Sequence, residues 1–168
     1  MSTTEQISSQ NPEFPEIYDI LPLPSDGILY SNKKDRIKVA YMTTKMENIL
    51  TSPNLIRSGK ILDKLLEMCI KDPDIKPEEL LAGDRNAILV FIRSTGYGSK
   101  YPVKVIDPNT GEEFETEVDL SLLKSKGLGA APDENMQFDF FLPKLKKNIK
   151  FRLLTAGLER EILERVDA

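Results

Sequence analysis

Residues 83–98 have the sequence GDRNAILVFIRSTGYG, and this stretch decides the fold class of the chain. Its apolar side chains recur at the spacing of one helix face, at Ile88, Leu89, Phe91 and Ile92. Asp84 stands where an N-cap is expected, and Gly96-Tyr97-Gly98 ends the pattern as a C-cap and sharp turn. The stretch therefore predicts a central helix that is capped by Asp84 and stops at the glycines.

Residues that alternate between apolar and polar follow this helix. The runs 101–106 and 114–120 flank the turn sequence DPNTG at 107–111, whose glycine is available for a positive φ. The valines of the first run can pair with apolar side chains of the second, and Lys104 then shares the outer face with three glutamates. We expect an antiparallel hairpin with one apolar and one charged face.

The residues before the central helix predict another hairpin and two more helices. The runs 28–30 and 36–42 flank a polar turn, and the second run alternates like a half-buried strand. A short helix is expected to begin near Thr43, and a stronger one has Ser58 as its cap. The apolar stripe of the stronger helix comprises Ile61, Leu62, Leu65, Leu66 and Cys69.

A third hairpin and a last helix are predicted towards the C-terminal end. Apolar residues alternate in 136–142 and in 149–153, and the residues 143–148 form the tip between these runs. A helix is expected from about Thr155, because Leu158, Ile162 and Val166 lie four residues apart.

Together these patterns predict an α+β protein with antiparallel β-hairpins around a central helical block and a C-terminal helix. We expect residues 1–20 to be a flexible acidic arm and residues 21–124 to be the main α+β domain. Residues 125–135, rich in glycine and alanine, are predicted to be a linker. Residues 136–168 then form a unit of one hairpin and the terminal helix.

The residue types that the chain lacks exclude several kinds of site. There is no histidine, which removes the commonest general base and the Ser-His and Cys-His nucleophile pairs. The single cysteine, Cys69, cannot form an intramolecular disulfide, and we expect it in the core. We predict no catalytic residues, no cofactor and no metal site. An enzyme that uses only carboxylates, such as a metal-dependent nuclease, is kept as an alternative.

The formal net charge of −4 is distributed unevenly. Residues 1–32 carry five acidic residues and no Lys or Arg, so the rest of the chain is close to neutral. A neutral body lacks the clustered cations that nucleic-acid binding requires. No apolar run approaches the roughly 20 residues of a membrane span. We therefore expect no nucleic-acid partner, no membrane span and a protein that stays in the reducing compartment where it is made.

The third hairpin and the terminal helix are predicted to bind another protein. Phe141 and Leu154 lie on the hairpin face where a solvated strand would carry charge. The main basic residues at the hairpin tip are Lys144, Lys146 and Lys147, followed by Lys150 and Arg152. We expect the lysines to orient an approaching protein partner. The alternatives are a nucleic-acid finger, or a hairpin whose two faces are covered by the main domain and by the terminal helix.

Several of these stretches, in this order, resemble the T4-type baseplate hub family of contractile-tailed phages. The features are LPSDG at 23–27 with Tyr30 before a strand, then Gly83-Asp84-Arg85 opening a helix that closes with RSTGYG at 93–98. They span about residues 21–120. The resemblance implies a structural or assembly role in the tail hub, with other tail or baseplate hub proteins as partners.

The resemblance also implies where the protein works and which residues belong to the family motif. Production in the host bacterial cytoplasm and a place in the tail baseplate of the virion are expected. The motif residues are Gly83, Asp84, Arg85, Arg93, Gly96, Tyr97 and Gly98. Related proteins can carry a cysteine pair after the Tyr-Gly turn, but residues 106–111 contain no cysteine here, so no zinc role is carried over.

Other functions and the oligomeric state stay open on the sequence. A peptide-binding adaptor or chaperone-like module unrelated to phage is the main alternative to a hub protein. It would bind in the same general way, through exposed strand edges.

Overall fold

The helices and strands of the computed structural model, which describes residues 17–166, form an α+β fold as predicted. The strands are β1 (Tyr18–Pro22), β2 (Arg36–Ala40), β3 (Lys100–Ile106), β4 (Glu113–Asp119), β5 (Phe138–Leu142) and β6 (Lys147–Phe151). The α-helices are α1 (Thr44–Leu50), α2 (Pro53–Arg57), α3 (Ile61–Cys69), α4 (Ala82–Tyr97) and α5 (Ala156–Val166). Two short 3₁₀ helices occupy Pro77–Glu79 and Leu120–Leu122. Within the described residues the strands form three antiparallel pairs.

The first hairpin differs from the prediction in its first strand. Strand β2 pairs with β1, so that Tyr18 faces Ala40 and Pro22 faces Arg36. The predicted strand at 28–30 is wrong, because these residues lie in successive turns closed by backbone hydrogen bonds from Ile28 to Ser25 and from Tyr30 to Gly27. Residues 18–20, assigned to the acidic arm, are in β1 instead. Residues 1–16 of that arm lie outside the described residues.

Gly27 explains why the chain turns here instead of continuing as a strand. Its φ is +66°, and a Cβ atom built on it would lie 2.4 Å from the carbonyl carbon of Lys34. A residue other than glycine would therefore clash with the backbone of the returning segment. The tight turn also directs the side chain of Tyr30 into the core, where it is buried.

The helical block forms the core with the inner face of the first hairpin. The buried side chains of α3 are Leu65, Leu66 and Cys69, which confirms the predicted stripe and the core position of the cysteine. They pack in one cluster with Ile88 and Ile92 of α4. The prediction that Ser58 caps α3 is wrong, because the N-cap of α3 is Lys60. Ser58 ends α2, and Gly59 with a φ of +67° turns the chain before α3 begins at Ile61.

The second and third hairpins form as predicted, but the tip of the third is shorter than residues 143–148 because β6 begins at Lys147. Val103 faces Thr116 and Val105 faces Phe114, so Lys104 lies on the other face opposite Glu115. In the third hairpin Phe138 faces Phe151 and Phe140 faces Ile149. Alternation along each strand predicts which side chains share a face of the sheet, whereas the pairs themselves are set by the structure.

The C-terminal segment is attached to the start of α4. The amide of Ala82 donates to the carbonyl of Leu154 at 3.1 Å, and the amide of Ala156 donates to Leu80 at 2.9 Å. Asp63 of α3 accepts hydrogen bonds from Arg85 at 3.3 Å and from Arg160 of α5 at 2.6 Å. One carboxylate thus joins three helices. The division of the chain into residues 21–124 and 136–168 stays a prediction.

Acidification is expected to weaken this fold through Asp72, a nearly buried residue between the first hairpin and the helical block. Burial acts to raise its pKa, but hydrogen bonds from Lys34 Nζ at 2.6 Å and the Lys38 amide at 2.5 Å outweigh burial and lower it. A pKa that is lower in the folded than in the unfolded chain stabilises the fold above about pH 4. This contribution is lost as the pH falls through the folded-state pKa.

Urea unfolding at neutral and acid pH checks this expectation. The Asp72→Asn protein should be less stable than the wild type at pH 7 and should lose less stability on acidification. Asp74→Asn is the matched control, because Asp74 also faces Lys34 but is largely exposed. Equal pH dependence of the wild type and Asp72→Asn would contradict the assignment.

Candidate functional site

A buried carboxylate brings together two of the sequence motifs. Asp84, which is fully buried, accepts hydrogen bonds from the Ser25 amide at 2.9 Å and from the Ser25 hydroxyl at 2.6 Å. It also accepts one from the Tyr30 hydroxyl at 2.6 Å. Ser25 and Tyr30 belong to the turn segment 23–30, and Asp84 belongs to α4. We call these three residues the buried polar centre.

The predicted capping role of Asp84 is wrong in its detail. The N-cap of α4 is Leu81, and no side chain bonds to the helix amides as a cap in the usual way. Asp84 is the third residue of the helix, and its carboxylate points across to the turn segment. The Tyr30 hydroxyl accepts a hydrogen bond from the amide of Leu81 at 3.0 Å, so the turn segment supplies an acceptor for the N-cap amide of the helix. A negative charge in the first turn is also favoured by the helix dipole.

The buried polar centre has a structural role. Burial and the hydrogen bond to Asp84 raise the pKa of the Tyr30 hydroxyl well above its ordinary value, so Tyr30 stays protonated. The carboxylate of Asp84 accepts its hydrogen bonds from Ser25 and Tyr30 and has no contact with solvent. The centre therefore joins the turn segment to α4 and presents no reactive group to a substrate.

The other residues of the opening motif have different positions. Arg85 reaches Asp63, and its Nε atom is buried without a hydrogen-bond partner among the described residues. A Cβ atom at Gly83 would meet nothing within 4 Å, so space does not require glycine at this position.

The closing motif forms the predicted helix end. Gly98, with a φ of +85°, is the C-cap, whereas Gly96 lies inside the last turn of α4. Arg93 donates to the carbonyl of Gly98 at 3.1 Å, which places a cation at the negative end of the helix dipole. Its guanidinium also lies over the rings of Tyr97 and Tyr101, at 5.1 and 5.4 Å from their centres. The predicted position of Arg93 at this helix end is therefore confirmed.

An apolar groove of about 430 Å³ lies beside this helix end. From α1, α3, α4 and the start of β3 its lining includes Leu50, Leu62, Leu65, Leu89, Ile92, Tyr97 and Tyr101, and Met42 lines it from the segment before α1. Gly96 borders Met42 so closely that a Cβ atom would lie 2.4 Å from its terminal methyl carbon. Sequence patterns alone did not predict this groove, because its walls come from four separate elements.

The third hairpin exposes apolar side chains on both of its faces. On one face Phe140, Ile149 and Phe151 are exposed, and on the other Phe141 has 56% of its surface exposed. Leu154, just beyond β6, is 41% exposed. Phe138 alone among the phenylalanines of this hairpin is buried, and its ring stacks on that of Phe151 at 5.6 Å.

The charged groups of this hairpin are concentrated at its tip. Lys144, Lys146 and Lys147 are exposed, and none of them forms an ion pair within residues 17–166. Lys150, lower in the hairpin, bonds to Asp133 at 2.5 Å and so ties the hairpin to the preceding segment. The structure thus places Phe141 and the three lysines of the predicted binding surface on the exposed hairpin, whereas Leu154 lies beyond β6 in the segment bonded to Ala82.

The terminal helix also exposes apolar side chains. Leu158 is partly buried, whereas Ile162, Leu163 and Val166 are exposed.

None of the described helices is long and apolar enough to cross a membrane. No group of three or more metal-ligating side chains occurs among residues 17–166.

Comparison with known proteins identifies one family. A family model described as T4 bacteriophage base plate protein matches residues 24–167. No curated protein and no solved structure matches the chain. The matched region includes the buried polar centre, the helix-closing motif, and the second and third hairpins.

Proposed function

Since this chain belongs to the family of T4 bacteriophage base plate proteins, we propose that it is a non-enzymatic subunit or assembly factor of the baseplate hub. It acts by binding other tail or baseplate hub proteins. Family membership makes it a phage baseplate structural protein, and the hub is our more specific assignment. It works in the host bacterial cytoplasm during assembly and in the virion tail baseplate if it stays in the particle.

The observation that carries this proposal is the third hairpin with apolar side chains exposed on both faces. A two-stranded hairpin has too little volume to bury both faces by itself. Phe141 is exposed on the hairpin, which is held by Phe138 and by the hydrogen bond between Lys150 and Asp133. Leu154 is exposed just beyond β6, where the chain joins the start of α4. Large exposed aromatic and aliphatic side chains on a rigid base are typical anchors of protein interfaces.

The lysines of the tip supply the second component of such an interface. Exposed cations that lack internal partners are free to attract an acidic protein surface, which raises the association rate and orients the encounter. Lys144, Lys146 and Lys147 have this role in the proposal. The terminal helix adds further exposed apolar side chains, Ile162 and Leu163.

Quantitative mass spectrometry of purified particles and of tail-assembly intermediates tests the proposed function. A fixed copy number in finished tails is expected for a hub subunit. Presence in intermediates and loss from finished tails is expected for an assembly factor. Absence from both would overturn the proposal. An adaptor unrelated to phage, the main alternative from the sequence, conflicts with the family membership.

A further inference from the structure

Two hairpins of this chain carry opposite charges of equal size. We call residues 100–119, which contain β3 and β4, the acidic hairpin, because two lysines and six carboxylates give it a net charge of −4. We call residues 138–152, which contain β5 and β6, the basic hairpin, because five cations and one carboxylate give it +4. The neutral average of the folded body hides this separation.

The acidic hairpin presents an uncovered apolar face. Tyr101 and Val118 face each other there, as do Val105 and Phe114, and these four side chains are 37–48% exposed. The opposite face carries the charges. Its lysines are already paired, Lys100 with Glu117 and Asp119, and Lys104 with Glu113 and Glu115. The excess charge that remains available to a partner is therefore negative.

The basic hairpin has a matching arrangement with the opposite sign. Phe140, Ile149 and Phe151 lie on one of its faces, and their side chains are 40–50% exposed. Lys147 stands at the end of the same face, opposite Leu142, and Lys144 and Lys146 follow at the tip. Each hairpin thus combines an apolar strip with an excess of one kind of charge.

The two hairpins lie at opposite ends of α4. Strand β3 starts at Lys100, three residues after the helix ends at Tyr97. The segment that follows β6 is bonded to the helix start, through Leu154 and Ala82. A helix of 16 residues is about 24 Å long at about 1.5 Å per residue. The exposure of both apolar faces shows that they do not cover each other within one copy.

We propose that the apolar face of the acidic hairpin binds the apolar face of the basic hairpin of a second copy. Contact between two acidic or two basic hairpins would bring charges of the same sign together, so charge selects the mixed pairing. Because the two surfaces differ and the hairpins lie at opposite ends of α4, the contact is head-to-tail. Such a contact repeats from copy to copy and forms a ring or an open chain.

The inference shares Lys144, Lys146 and Lys147 with the proposed function, but it uses the opposite face of the hairpin from Phe141. Phe141 faces Asn148 on the reverse side, which stays available to another baseplate protein. Two short strands provide less surface than the roughly 800 Å² per partner of a stable complex. The association is therefore weak and depends on protein concentration.

Sedimentation velocity of the purified full chain over a range of concentrations tests the proposal. The weight-average mass should rise with concentration at low ionic strength and rise less at high ionic strength, because salt screens exposed charges. A mass equal to that of the monomer at every concentration and salt would overturn the proposal. It would leave the proposed function untouched, since binding to other baseplate proteins is measured separately.

Charge reversal shows whether the net charges of the two hairpins select the pairing, since the glutamates to be reversed lie on the face of the acidic hairpin opposite the contact. One variant carries Lys144→Glu, Lys146→Glu and Lys147→Glu, and the other carries Glu113→Lys, Glu115→Lys and Glu117→Lys. Each variant alone should associate at least about tenfold more weakly, because both of its hairpins then have the same sign. An equimolar mixture of the two should associate again. Unchanged association of either variant, or failure of the mixture, would overturn the assignment.

A matched pair of apolar substitutions covers the case in which a reversed hairpin does not fold. Phe140→Ser lies on the proposed contact face, and Phe141→Ser lies on the opposite face with similar exposure. Phe140→Ser should weaken self-association, whereas Phe141→Ser should leave it unchanged. Equal effects of the two substitutions would contradict the proposed face.

Discussion

Replacing Asp84 by alanine is expected to lower the free energy of unfolding by about 3–5 kcal/mol, because three buried donors then lose their acceptor. These donors are the amide and hydroxyl of Ser25 and the hydroxyl of Tyr30. None of them can reach water instead, since Ser25 and Tyr30 are buried. A loss of this size is a large part of the about 5–15 kcal/mol that stabilises a typical domain.

Smaller changes in the same centre should give smaller losses in a defined order. Asp84→Asn keeps the shape but replaces one acceptor oxygen by an amide nitrogen, so we expect a loss of about 2 kcal/mol. Tyr30→Phe removes one donor to Asp84 and leaves the Leu81 amide without its acceptor, which costs about 1–3 kcal/mol.

Chemical denaturation monitored by circular dichroism measures these losses. Asp74→Ala serves as the control, because its largely exposed carboxylate should contribute less than about 0.5 kcal/mol. If Asp84→Ala lowered the free energy of unfolding by less than about 1 kcal/mol, the buried polar centre could not be what holds the turn segment to α4.

The double substitution Phe141→Ser with Leu154→Ser is expected to abolish binding to baseplate partners while the chain stays folded. Phe141 is 56% and Leu154 41% exposed, so neither is a core residue and their truncation leaves no enclosed cavity. Interface anchors of this kind contribute about 2 kcal/mol or more each, which corresponds to more than tenfold in affinity for each side chain.

Co-expression with the other hub proteins of the same phage, followed by co-purification and melting curves, tests this expectation. Phe138→Ser is the matched control on the same hairpin, because Phe138 is only 7% exposed and stacks on Phe151. That substitution should destabilise the protein by about 3 kcal/mol. If the double variant failed to fold, Phe141 and Leu154 would be core residues and the docking surface would be wrong.

The elements whose predictions were confirmed have strong patterns within short stretches of chain. The faces of the second and third hairpins follow from alternation, since a shift by one residue would move every apolar side chain to the opposite face. The apolar stripe of α3 likewise requires only residues inside that helix. Such patterns report local burial, and local burial can be read from neighbouring residues.

The predictions that were wrong depend on residues far apart in the chain. Residues 28–30 resemble a strand by composition, but Gly27 and its close approach to Lys34 impose turns there. Asp84 resembles a helix cap by position, but its partners Ser25 and Tyr30 are 59 and 54 residues away. A capping motif in the sequence cannot reveal that a carboxylate has better donors on another segment.

The sequence by itself determined the α+β class, two of the three hairpins, the central and terminal helices, and the resemblance to baseplate proteins. It did so because each of these follows from a periodic pattern or a motif that involves only residues close together in the chain. Only the tertiary structure decided that the motif residues Ser25, Tyr30 and Asp84 meet, and that the charged hairpins stand at opposite ends of α4. Those facts depend on how separate elements pack, and packing is set by shape and hydrogen-bond partners across the whole chain rather than by local pattern.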